Sequence, residues 1–290
     1  MISNNEKQQS IQIDKIEQLI EWGRINEAIK ETEQYIQMNP DDSLGYALLA
    51  KAYLQGSQLD KALHWSEESL KRDPNDLIAW QIRVLVYFKK DDWDELNQAV
   101  QSGKELFPYN SFFYFYETNY FVNKGKFKKA KEEMETCLEL EPYDSLNLAF
   151  YSYIVSLLGE KGLSESVEKQ ALELQPNGSS TYLYLGWAAQ QRGDFEKELT
   201  FFEIAIQSEP SNEQVRSEYL TVLQRKYKLY RFLTFPQRMT KKQALFILLP
   251  AFILLKGFAL LFLLAYVVMH WVTKLLVHVK VFGWTLPNRN

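Results

Sequence analysis

Cysteine is almost missing from this sequence. Cys137 is the only one, so no disulfide can close within the chain and no cysteine and histidine set can enclose a metal. A single thiol fits a reducing compartment. Histidine is nearly as scarce: His64, His270 and His278 are the three present, and none has neighbours arranged for a metal site or a catalytic triad. Solvated or structural roles are expected for all of them. There is no Gly-rich phosphate loop, no Gly-x-Ser-x-Gly and no His-Glu-x-x-His. These absences lead us to expect a protein that is not an enzyme, with no metal, no cofactor and no small-molecule substrate. Acidic runs such as Asp91-Asp92 and Glu132-Glu133 then read as solvated helix faces.

Acidic residues are absent altogether from residues 224–290, which carry 11 lysines and arginines. Subtracting these from the chain's 33 leaves 22 basic against 37 acidic residues, so the net charge of −4 hides a body of −15. Such asymmetry points the tail toward a membrane or another anionic surface, and turns the body away from nucleic acid. Residues 1–8 are polar, with no apolar core behind a positive start. No secretory signal peptide is expected there, and the stretch is expected to be frayed and disordered.

Proline is not abundant, at nine residues, but six of them keep strict register. Pro40, Pro74, Pro108, Pro142, Pro176 and Pro210 stand 34 residues apart each time. Between Pro40 and Pro74, the apolar residues Tyr46, Leu49, Ala50 and Tyr53 recur at helical spacing. A break follows at Gln55-Gly56-Ser57, and Leu59, Ala62, Leu63 and Trp65 resume the pattern. This is a pair of amphipathic helices joined by a turn and stopped by proline, then repeated.

The repeated residues resemble the tetratricopeptide repeat, a 34-residue helix–turn–helix unit. Its pattern is met by Tyr46, Leu49-Ala50, Tyr53, Ala62 and Pro74, then by Trp80, Val84, Tyr87 and Pro108. It continues with Tyr114, Phe121, Gly125, Ala130 and Pro142, and with Tyr182, Leu185-Gly186, Ala189, Gly193, Ala205 and Pro210. Ser164 and Glu198 depart from it where alanine is usual. The resemblance implies an all-α solenoid of six units at residues 9–42, 43–76, 77–110, 111–144, 145–178 and 179–212, wound as a right-handed superhelix with a concave inner face. It further implies that exposed positions of each first helix line that face. Here they include Lys51, Gln55, Phe88, Lys89, Phe112, Phe115, Asn119, Tyr153 and Trp187. Exposed aromatic stripes rimmed by polar residues mark binding surfaces. Two readings stay open for these rings: a groove for a protein or peptide partner, or packing between neighbouring first helices. The lysine/asparagine clamp that some such proteins use for a terminal carboxylate is not met, because Ala47, Leu48, Ile82 and Leu85 occupy its places. An apolar or amphipathic helix or extended peptide fits the rings better.

Residues 213–232 read as a capping helix with a basic end, and residues 233–243 as a basic linker. Residues 244–270 form a hydrophobic segment with one charge, Lys256, beside Gly257, and are expected to enter a membrane. One tilted span, or a hairpin turning at Lys256-Gly257, satisfies the pattern. Arg238, Lys241, Lys242, Trp271, Lys274 and Trp284 are the expected interface residues. Residues 271–290 read as an amphipathic interfacial tail on an anionic lipid membrane. A repeat body followed by such a segment and by Phe282-Gly283 is similar to a group of bacterial membrane-anchored tetratricopeptide repeat proteins. Basic flanks place the body in the cytoplasm. The expected function is a membrane-anchored scaffold. The alternative is a subunit of a membrane transport or assembly complex, in which Lys256 meets an acidic group of another span.

Overall fold

The computed structural model describes residues 4–226 and the helical positions 264, 267, 268, 271, 272, 275 and 279. Thirteen α-helices and no strand lie in residues 4–226. They are α1 (Asn4–Glu21), α2 (Ile25–Met38), α3 (Ser43–Gln55), α4 (Leu59–Arg72), α5 (Leu77–Lys89), α6 (Trp93–Leu106), α7 (Ser111–Asn123), α8 (Phe127–Leu140), α9 (Ser145–Leu157), α10 (Lys161–Glu173), α11 (Ser179–Arg192), α12 (Phe195–Ser208) and α13 (Glu213–Lys226). From α3 onward the odd-numbered helices start 34 residues apart, and so do the even-numbered ones from α2. α1 begins at Asn4, inside the stretch expected to be frayed.

Three local devices set this period. Asp42, Asp76, Asn110, Asp144 and Asn212 each precede an odd-numbered helix and accept a backbone N–H of its first turn, at 2.7–3.2 Å. Each such cap stabilises its helix by about 1 kcal/mol. Gly178 stands at the same place before α11 and makes no side-chain cap. The second device is the proline, which holds the residue before it out of the α conformation: Asp73 and Glu209 lie at φ −133° and −145°. Gln175 departs from this, at φ 52°. The third is a left-handed residue in the turn between the two helices of a repeat. Gly23, Ser57, Asp91, Gly125, Gly159 and Gly193 all have φ between 55° and 82°.

Ser57 adopts that conformation with a Cβ and with its side chain exposed. The strain is roughly 1 kcal/mol, partly offset in a glycine variant by the greater freedom of the unfolded chain. Ser57→Gly is therefore expected to stabilise the protein by about 0.5 kcal/mol, read as a higher urea midpoint at unchanged slope.

The chain divides into two compact units, Met1–Ile154 and Val155–Asn290, with the break inside α9. In the first unit Ile16, Leu19, Ala28, Tyr35 and Leu48 bury one cluster, and Leu49, Tyr53, Ala62, Ile82 and Val86 the next. A third holds Val84, Leu96, Val100 and Phe113. The second unit buries Leu183, Phe202, Ala205, Ile206, Val215 and Val222. Small residues let helices approach: a Cβ on Gly186 would meet the Phe202 ring at 2.5 Å.

A polar tie recurs beside these clusters. Tyr46, Trp80 and Tyr114 donate side-chain hydrogen bonds to the carbonyls of Pro40, Pro74 and Pro108, at 2.9–3.0 Å. In the second unit Tyr182 does the same to Pro176 at 3.0 Å. The proline carbonyl at these four joins thus has a partner.

Residues 227–263 lie outside the described residues, and with them the end of the expected capping helix, the basic linker and most of the hydrophobic segment. Among the described residues no helix is long and apolar enough to cross a membrane.

Candidate protein-binding surface

α7 is the most aromatic helix of the first unit: Phe112, Phe113, Tyr114, Phe115, Tyr116, Tyr120 and Phe121 all lie on it. One face of a helix cannot bury so many rings, so they divide among several neighbours. Phe113 turns to α6 and stacks at 6.0 Å on Phe107, the residue that follows that helix. Tyr114 lies under the Lys104 ammonium at 4.2 Å. Phe112 and Tyr116 turn toward α5, and Tyr116 meets Phe88 edge-on at 5.2 Å. Phe115 contacts Phe150 of α9 at 5.3 Å.

A row of rings results. Trp93 meets Phe88 at 5.7 Å, Phe88 meets Tyr116, Tyr116 meets Phe112 at 4.6 Å and Phe115 at 5.3 Å, and Phe115 meets Phe150. Such edge-on and offset contacts each add roughly 1 kcal/mol beyond area burial. Tyr116 is the hub, and burial pushes its hydroxyl up to about 12. Sequence reasoning missed it as part of this surface. Its register was the available signal, since Leu48, Ile82 and Phe150 occupy the same place in other repeats and all are buried.

The expected groove residues fall into three groups. Phe88, Phe112 and Phe115 are half-buried and belong to the ring row. Gln55 and Lys89 are exposed, and Lys51 is half-buried with its ammonium 3.9 Å from Glu17. Asn119 is buried and donates to the Phe115 carbonyl at 2.9 Å. Tyr153 is half-buried on α9. Trp187 lies in the second unit, half-buried and edge-on to Tyr184 at 5.5 Å. Of the expected interface residues, Trp271 is helical and exposed. Arg238, Lys241, Lys242, Lys274 and Trp284 lie outside the described residues.

Polar chemistry near this surface is structural in character. Lys104 reaches Glu117 and Glu133, and Gln101 donates to Glu117 at 2.7 Å. Burial raises the Glu133 carboxyl above its usual range, opposed by Lys104 and reinforced by the nearby Glu117. Burial would lower Lys104, but its two carboxylates outweigh that and hold it above its ordinary value. Cys137 is buried, its thiol 3.5 Å from the Ser111 carbonyl oxygen and pushed up to about 12 by burial, which keeps it from acting as a nucleophile. Among the described residues no three histidine, cysteine, aspartate or glutamate side chains gather in a way that could hold a metal. A shallow depression of about 490 Å³ between α4 and α5 is lined by Ser57, Gln58, Leu59, Asp60, Lys61 and Lys90, and an ion pair of 2.7 Å joins Lys90 to Asp60.

Residues 119–144 match the tetratricopeptide repeat family. Among solved structures, the Cut9–Hcn1 hetero-tetramer of the APC/C contains a chain similar to this one with a TM-score of 0.65 at 16% identity, covering 77% of this chain and 44% of that one. Pseudomonas aeruginosa PilF is similar with a TM-score of 0.61 at 13% identity, over 78% of this chain and 100% of its own. A tetratricopeptide repeat protein from Parabacteroides merdae gives a TM-score of 0.61 at 12% identity, over 76% and 86% of the two chains. A comparison with curated proteins finds no match. The fold is thus that of an all-helical tetratricopeptide repeat solenoid.

Proposed function

We propose that this protein is a scaffold held at a membrane by its C-terminal segment, with its repeats facing the cytoplasm and taking a protein or peptide partner on the first helices of repeats two to four. The observation that carries the binding half is the ring row from Phe88 through Tyr116 to Phe115, half-buried and bordered by the exposed Lys89. Half-buried rings keep one face for a partner, and side chains already packed lose little freedom on binding. The anchoring half is supported by the hydrophobic segment, its basic flanks, and six exposed apolar positions. These are Leu264, Val267, Val268, Trp271, Val272 and Leu275, each of them helical.

The test places a photo-crosslinking residue at Gln55, Lys89 or Asn123 in the full chain, and at Lys128 on α8 as a control. All four side chains are exposed. One partner band from the three first-helix positions and none from Lys128 is expected, in a membrane fraction that resists alkali extraction. Partner adducts from Lys128 alone would sink the binding half. Release by alkali, unchanged by deletion of residues 244–290, would sink the anchoring half.

A further inference from the structure

Glu198, on α12, stands in the register of Ala28, Ala62 and Ala130 and is only 2% exposed. Its carboxylate accepts a hydrogen bond from Arg225 of α13, whose side chain keeps 26% of its exposure. Gln190 of α11 also bonds this carboxylate, and Glu218 of α13 faces it with like charge. The neighbouring cations Arg192 and Lys197 are turned to Glu168. α13 also rests on an apolar stripe of Val215, Tyr219, Val222 and Leu223, and the Arg225 guanidinium lies 5.9 Å from the Phe195 ring. Arg225 opens the basic run Arg225, Lys226, Lys228 and Arg231.

We propose that Glu198 and Arg225 form a latch that makes α13 a releasable cap: the helix stays docked on repeat six while Arg225 faces Glu198, and comes away as a unit when Arg225 is drawn off. The physical reason is the asymmetry of buried ion pairs. A complete pair contributes little against its desolvation, whereas a lone buried charge is strongly destabilising. Removing Arg225 therefore leaves a charge that the native state sheds most easily by undocking α13, which returns Glu198 to water. Release works only while Glu198 is ionised, since a neutral carboxyl left without Arg225 has no buried charge to shed. Burial, with Glu218, raises this carboxyl above the usual range against the pull of Arg225 and Gln190. The docked state thus takes up a proton at higher pH than the undocked one, so acidification tightens the cap rather than loosening it.

Hydrogen exchange on the full chain tests this. In Arg225→Met at neutral pH, the protection of α13 amides is expected to fall at least tenfold, with α11 unchanged. Arg225→Met/Glu198→Ala, which leaves no charge behind, is expected to restore protection. So is lowering the pH toward the ordinary carboxylate range for Arg225→Met alone. The latch is overturned if α13 protection in Arg225→Met equals wild type. It is equally overturned if the loss spreads evenly through α11 and α12, or if the double variant exchanges as fast as the single one.

Discussion

Gly103→Ala is expected to lower the unfolding free energy by about 3 kcal/mol, the upper end for overpacking a core. A Cβ at this position would lie 2.1 Å from Cε1 and 2.4 Å from Cδ1 of Phe113. That ring has nowhere to go. It is fully buried, stacked on Phe107 at 6.0 Å and edge-on to Phe112 at 5.4 Å. The methyl group must therefore push α6 and α7 apart, which disturbs the ring row as well as the core. A urea titration of Gly103→Ala, Phe113→Leu and the double variant gives the coupling directly. The double variant is expected to be more stable than the sum of the single losses by at least about 1 kcal/mol, because leucine leaves room for the methyl. Additive losses would show that the close approach is not what excludes a side chain at this position.

Arg192→Met is expected to cost about 3 kcal/mol. The Arg192 side chain is 2% exposed and that of Glu168 4% exposed, and the two form a buried pair. Arg192 Nη1 also donates to Ser164 at 2.5 Å. Lys197 remains within 2.7 Å of Glu168 in the variant, which keeps the cost at the low end of the range for a broken buried pair. Arg192→Met/Glu168→Leu should return most of the loss, since an apolar replacement of similar volume carries no desolvation penalty. Chemical denaturation of both variants decides the matter. A double variant less stable than the single one would show that the network, not the charge balance, holds these helices.

The two substitutions bear on what the sequence alone can disclose. The all-helical repeat was legible because its signals are local and recurrent: the proline and the turn between paired helices return after 34 residues. Ser164 and Glu198 were visible as departures from alanine, but their partners were not. Arg192 lies 28 residues beyond Ser164, and Arg225 lies 27 beyond Glu198. Only the folded arrangement of helices brings them together. The candidate surface was legible in the same uneven way. Register placed Phe88, Phe112 and Phe115 on first helices, and it could not say how far each ring would turn toward a neighbour. Tyr116 was passed over because its own helix offers rings in every direction. Asn119 looks like a surface amide in sequence, yet it is folded back onto the Phe115 carbonyl.

The recurring tie between an aromatic side chain and the proline carbonyl six residues earlier makes chain length behave as a quantised property. Removing residues 77–110 would bring Asp76 before Ser111, where it can cap α7 as Asn110 does now. The Pro74 carbonyl would then stand six residues before Tyr114, as Pro108 does now. A join that carries both contacts survives a change of one whole period. A gain or loss of any other size separates the cap, the ring and the carbonyl in a single stroke. Insertions and deletions at such joins are therefore tolerated in steps of 34, a discreteness that comes from two small contacts rather than from the bulk of the core.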